Sequence, residues 1–97
     1  MDRHTEVMRQ RAEAQLREWR GRLQTWQAKI DQQRLEAADE GRKTVEHLRR
    51  RADEMGERLK ELEVQGRDTS GELRRRVDST WKDLEEGFRK ARQRFDA

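Results

Sequence analysis

Apolar residues recur along most of this chain in alternating steps of three and four, which is the spacing of one face of an α-helix. The pattern covers three segments, residues 16–30, 45–62 and 73–95. Charged residues fill most of the positions between the apolar ones. Each segment therefore predicts an amphipathic helix, and its apolar face must be covered by another helix.

The boundary between the second and third segments has the residues of a turn. Gly66 and Gly71 enclose four polar side chains, and Gly66 suits the left-handed conformation that follows many helix ends. Thr69 precedes Glu72 by three residues, which is the spacing of a capping box, in which each side chain bonds the other's backbone N–H. We therefore predict the main turn of the chain at residues 66–71.

If the chain folds back at this turn, the second and third segments pair as an antiparallel hairpin. Small residues then face large ones, with Gly41 opposite Phe95 and Ala52 opposite Leu84, as close packing requires. The predicted hairpin core consists of Val45, Leu48, Ala52, Met55, Leu59, Leu62, Leu73, Val77, Trp81, Leu84, Phe88, Ala91 and Phe95.

The first segment has no cover in this hairpin, because the third segment is too short to reach it. Leu16 and Val45 lie four heptads plus one residue apart, a shift that a continuous helix absorbs by local unwinding. We favour this continuous helix, since one isolated glycine costs a helix only about 1 kcal/mol. The uncovered seam must then meet a second copy, and the residues predicted for self-association are Leu16, Trp19, Leu23, Trp26 and Ile30.

Two all-α folds are therefore predicted. The favoured one is a long-helix antiparallel coiled-coil hairpin that forms an antiparallel homodimer, with residues 1–97 as a single helical coiled-coil domain. The alternative is a monomeric three-helix bundle in which the chain turns near Gly41, with this glycine as a left-handed helix C-cap. The molar mass in solution distinguishes the two.

Composition supports helices over sheet or disorder. Of the 97 residues, 46% are charged and 30% are hydrophobic, a balance typical of disordered chains and of long helices. Regular apolar spacing and the absence of proline favour the helices. The 24 basic and 21 acidic residues leave a net charge of only +3, and both signs are interspersed. We expect no nucleic-acid partner, because such binders concentrate lysine and arginine on one face.

Residues able to carry chemistry are sparse. The absence of cysteine excludes a disulfide framework and a thiolate nucleophile. His4 and His47 are too far apart for a helical zinc motif, which needs two histidines four residues apart. Carboxylates are plentiful, but acid–base catalysis requires a dry pocket that a two- or three-helix coil does not offer. We expect no catalytic residue, no metal and no cofactor, and hence no enzyme.

Two kinds of partner are compatible with this pattern. The favoured partner is a second copy of the chain, and an unidentified protein is a further possible partner. The alternative is a peripheral membrane protein that lays Trp81, Phe88 and Phe95 on a lipid surface. These two predictions differ in whether the aromatic side chains already have partners inside the fold. No run of about 18 apolar residues is present to span a bilayer, so we expect a soluble, cytoplasmic protein.

The segment 69–96 resembles the end of a family of small bacterial coiled-coil proteins, most of them uncharacterised, in which a turn precedes a helix of spaced aromatics, leucine and alanine. The second half of that pattern is matched by Trp81, Leu84, Phe88, Ala91 and Phe95. The pattern's first tryptophan is missing here, and the surface is richer in arginine. Some members are called stress-response proteins, so the resemblance implies a non-enzymatic structural or interaction protein, related to stress.

The predicted capping box can be tested by substitution. We expect Thr69→Ala to lower the free energy of unfolding by about 0.5–2 kcal/mol, because a helix N–H loses its acceptor. Insertion of several glycines between Gly66 and Thr69 should be mild, since loop closure depends weakly on loop length. Urea unfolding measures both, and loss of folding on insertion would argue against an exposed turn.

Overall fold

The computed structural model describes residues 3–32, 38–65 and 71–96. These residues form three α-helices and no strand: α1 (Arg3–Gln32), α2 (Ala38–Gln65) and α3 (Gly71–Phe95). The helices pack into an elongated bundle of 50 × 20 × 18 Å. Its length fits α1, whose 30 residues span about 45 Å at the usual helical rise. The all-α prediction is confirmed.

Charges near the helix ends complement the helix dipoles. Acidic side chains lie in the first turn of every helix, namely Glu6, Asp39, Glu40 and Glu72. Basic side chains lie in the last turns of α1 and α3, namely Lys29, Arg92 and Arg94. Each such charge stabilises its helix by about 0.3–1 kcal/mol at low salt. The predicted turn at residues 66–71 lies outside the described residues, apart from Gly71, where α3 begins.

The first two helices pack side by side and run antiparallel. The Arg20 guanidinium lies 3.3 Å from the Asp53 carboxylate, whereas a continuous helix would separate these residues by about 50 Å. The structure therefore differs from the expected continuous helix. The physical reason is that the apolar seam of α1 finds its cover on α2 and α3 of the same chain.

Gly41 has a packing role in this arrangement. It lies buried within the first turns of α2 and so is not a C-cap of α1. A Cβ atom at this position would lie 3.3 Å from Ile30 Cδ1 and 3.4 Å from Phe95 Cε1. The glycine thus lets side chains of both other helices approach the backbone of α2. Residues 33–37, between α1 and α2, lie outside the described residues.

The second and third helices are antiparallel in the predicted hairpin register. Gly41 faces Phe95 as that register predicts. Ion pairs join the same two helices at Arg94–Glu40, with 3.1 Å between charged atoms, and at Arg51–Asp83, with 3.8 Å. Both pairs fit a register in which α3 runs back along α2 from Gly71.

One core runs through all three helices. All five residues of the α1 seam are buried in it. Ten of the thirteen residues predicted for the hairpin core are buried with them: Val45, Leu48, Ala52, Met55, Leu59, Leu62, Leu73, Leu84, Phe88 and Ala91. Val77, Trp81 and Phe95 are partly buried and pack against this core. The core also takes in Thr80, which is 5% exposed and was outside the apolar pattern.

Two glycines allow a matched test of this packing. Gly41→Leu should lower the free energy of unfolding by about 1–3 kcal/mol, because its side chain overpacks the space beside Ile30 and Phe95. Gly21→Ala should raise it by about 1 kcal/mol, because a Cβ there meets nothing within 4 Å and alanine favours the helix. Urea unfolding of both variants decides; a more stable Gly41→Leu protein would show that α2 does not approach α1 and α3 here.

Candidate functional site

All five aromatic residues of the chain form one stack, which we call the aromatic column. Its rings alternate between α3 and α1. The order is Trp81, Trp19, Phe88, Trp26, Phe95, with successive ring centroids 4.8, 4.9, 5.6 and 5.4 Å apart. Aromatic pairs at such distances contribute about 0.5–1.5 kcal/mol each beyond the burial of their area. The column is therefore a principal link between α1 and α3.

The column includes the two tryptophans predicted for self-association. Trp19 is 8% exposed and Trp26 only 1%. The seam thus has little apolar surface to offer a second copy while α1 stays in place. A dimer through this seam requires α1 to leave its own α3 and to pack on another chain.

A polar contact closes the column at its Phe95 end. The Trp26 indole N–H donates a 2.9 Å hydrogen bond to the Asp96 carboxylate. Lys29 and Arg22 lie 3.6 and 3.7 Å from the same carboxylate. The indole hydrogen bond is the main cause that lowers the pKa of Asp96; desolvation opposes it, and the two cations add to the lowering.

Sequence reasoning missed this contact, because periodicity describes only apolar positions. Asp96 follows the last apolar residue of α3 and has no heptad partner. The one available signal is chemical: a buried tryptophan requires an acceptor for its indole N–H. Finding that acceptor requires the axial offset between α1 and α3, which the sequence pattern leaves open.

Two open grooves run along α2 and differ in charge. The α2–α3 groove, of about 460 Å³, has an apolar floor at Leu48, Gly87 and Ala91. Its titratable lining residues are all basic: Lys43, His47, Lys90 and Arg94. The α1–α2 groove, of about 510 Å³, is lined by three acidic and three basic residues: Glu13, Asp53, Glu57, Arg17, Arg20 and Lys60. Only the first of these two grooves thus offers charge of a single sign.

Candidate metal ligands are not brought together in the described part of the chain. No group of three or more His, Cys, Asp or Glu residues there is arranged to hold a metal ion. His47 is exposed on α2. None of the described helices combines the length and apolar character needed to cross a bilayer.

No protein-family model matches the chain, and comparison with curated proteins and with solved structures finds no significant similarity. The resemblance to small bacterial coiled-coil proteins therefore stays a prediction.

The contact between Trp26 and Asp96 predicts a dependence of stability on pH. The pKa of Asp96 is lower in the folded protein than in the unfolded chain. The contribution of Asp96 to the free energy of unfolding is therefore complete above the unfolded pKa of about 3.9, and it is lost as the pH falls through the folded pKa. Asp96→Asn should remove this loss and flatten the acid side of the stability profile.

Asp78→Asn is the matched control, because Asp78 is exposed and forms no ion pair within the described residues. Thermal unfolding between about pH 2 and 6 measures the effect. A second variant, Trp26→Phe, keeps an aromatic side chain but removes the indole N–H donor, so it should shift the acid transition as Asp96→Asn does. Equal profiles for wild type and Asp96→Asn would contradict the assignment.

Proposed function

We propose that this protein is a non-enzymatic helical interaction protein whose fold is a three-helix bundle within one chain. The observation that carries the proposal is the aromatic column, which covers the α1 seam with rings of α3 from the same chain. A bundle closed in this way uses its apolar surface internally and presents charged helix faces to partners. A relation to stress response stays a prediction that the resemblance implies.

Two exposed carboxylates of the bundle have lowered pKa values. Hydrogen bonds lower the pKa of Glu86 and of Asp96, with Arg89 and Trp26 as the respective donors. A carboxylic general acid requires the opposite shift, which arises where burial disfavours the charged form. Both carboxylates are therefore favoured in their charged form, which does not suit them to act as a general acid.

The membrane alternative has less support. It requires the aromatic face of α3 to be available to lipid, yet Phe88 is 2% exposed and lies 4.9 Å from Trp19 between ring centroids. Lipid binding through this face would need α1 to move away and uncover the column. Such a transition would lose most of the core contacts of α1 and is unfavourable without a strong lipid contribution.

A dimer through the α1 seam is the second arrangement to be tested. The contacts that join α1 to α2 within one chain can join two chains if α1 packs on a second copy. Residue 20 lies beside residue 53 in the one-chain bundle, and an exchanged dimer that keeps these contacts would place it beside residue 53 of the other copy. The two arrangements then differ in whether these two residues belong to the same chain.

Cross-linking tests the one-chain bundle directly, because the chain has no cysteine. The variant Arg20→Cys/Asp53→Cys is treated with a short bis-maleimide at about 0.5 M salt, where exposed charges are screened beyond about 4 Å. We expect one intrachain product and a single-chain mass in sedimentation at about 100 µM. Chains linked to one another would instead identify the exchanged dimer and overturn the proposal. Arg20→Cys alone is the control for random collisions.

A further inference from the structure

The face of α2 that points away from the core carries its own heptad pattern. Its residues alternate in steps of three and four, as the buried seam does. We call these residues the outer stripe of α2: Glu40, Lys43, His47, Arg50, Glu54, Glu57, Glu61 and Val64. All are exposed except Glu54, which is half-buried. The stripe is thus a straight row of side chains on the surface of the bundle.

Charge is segregated along the central part of this stripe. The half towards the start of α2 is basic, with Lys43, Arg50 and between them His47. The half towards the end is acidic, with Glu54, Glu57 and Glu61. Lys90 and Arg94 of α3 line the same groove as Lys43 and His47, and each is paired with a carboxylate, Lys90 with Glu86 at 3.7 Å and Arg94 with Glu40 at 3.1 Å. The small net charge of the chain gives no indication of this separation of basic and acidic residues.

The two halves are related by position as well as by sign. When a second copy of the stripe is placed antiparallel to the first, with residue 52 opposite residue 52, Lys43 lies opposite Glu61, His47 opposite Glu57 and Arg50 opposite Glu54. We propose that the outer stripe of α2 binds the same stripe of a second copy, antiparallel and about a two-fold axis at residue 52. Each basic residue then faces an acidic residue of the other copy, and the pairs occur twice because the interface is isologous.

The side chains required for this interface are largely free. Within the described residues, Lys43, Arg50, Glu57 and Glu61 have no ion-pair partner. Glu54 is engaged by Arg51 at 3.1 Å and Glu40 by Arg94 at 3.1 Å. Of the six residues that pair about residue 52, five, including His47, thus lack an ion-pair partner within the described residues that a second copy would have to displace, and only Glu54 has one.

The outer face of α3 lacks this self-complementarity. Its residues at the same spacing are Arg75, Ser79, Lys82, Glu86, Arg89 and Gln93. Three of them are basic and one is acidic, and an antiparallel pairing leaves two of the basic residues opposite neutral side chains. Charge therefore favours α2 over α3 as the surface for a second copy.

The interface should be weak and sensitive to salt. Exposed ion pairs contribute little individually, and a single pair of helix faces buries little apolar area, with Val64 as its one large apolar residue. Complementary charge mainly speeds association and fixes orientation. We therefore expect a dimer that exchanges rapidly and not an obligate one. This proposal rests on the interaction role proposed above, because it names a second copy of the chain as a partner of the charged surface of α2.

Charge exchange provides the test. Sedimentation equilibrium of the wild type at about 50 mM salt should give a dimer whose dissociation constant rises at least about tenfold at 0.5 M, since the screening length falls from about 14 to 4 Å. Lys43→Glu/Arg50→Glu makes the stripe acidic, and Glu54→Lys/Glu61→Lys makes it mainly basic. Each double variant alone should be a monomer at about 50 mM salt, and an equimolar mixture of the two should form a heterodimer.

Two further variants complete the test. Arg75→Glu/Lys82→Glu makes the same change of charge on α3, where both residues are exposed, and it should dimerise like the wild type. The variant with all four α2 substitutions exchanges the signs of the 43–61 and 50–54 pairs, keeps His47 opposite Glu57, and should regain the homodimer. Helical circular dichroism checks that every variant is folded.

A wild-type protein that stays monomeric at about 200 µM and 50 mM salt would overturn the interface. So would double variants that still dimerise, or a mixture without heterodimer. If one double variant does not fold, the other and the four-residue variant decide. A failure here leaves the intrachain cross-link at 0.5 M salt unchanged, so the one-chain bundle and this interface are tested separately.

Discussion

The structure depends on the stacking of five aromatic rings between α1 and α3. Because the rings alternate between these helices, sliding one helix by a turn would separate Trp19 from Phe88 and Trp26 from Phe95 at once. The column therefore fixes the axial offset of two parallel helices. The bulky rings also set how far apart α1 and α3 lie, so α2 must supply the small side chains that allow its own close approach.

The small residues of α2 and the aromatic residues of its neighbours are thus parts of one arrangement. A Cβ at Gly41 would crowd both Ile30 and Phe95, one side chain from each other helix. Ala52, halfway along α2, is fully buried in the same core. Large side chains here would push α2 outward and weaken its contacts with both neighbours. The small residues at positions 41 and 52 of α2 therefore match the space that the aromatic column leaves between α1 and α3.

The sequence predicted most of the core, because apolar positions at helical spacing identify buried faces whatever covers them. The hairpin register was also accessible, since Gly41 and Phe95 are complementary in size. The position of α1 could not be predicted, because the same chain or another chain can cover the seam from Leu16 to Ile30 equally well. Which of the two forms depends on the difference in free energy between the one-chain bundle and the dimer. The spacing of apolar residues gives no information about that difference. The hydrogen bond from Trp26 to Asp96 follows only after α1 and α3 are aligned.

The placement of the α1 seam changes what association this chain can undergo. An exposed seam of two tryptophans would drive tight, apolar dimerisation that salt affects little. Once the seam is buried against α3, the surface left for partners is charged, and it includes the basic-to-acidic division of the outer stripe of α2. Association through such a surface is orientation-specific, rapid and dependent on ionic strength. The same apolar residues that complete the fold therefore shift recognition from hydrophobic burial to electrostatic pairing.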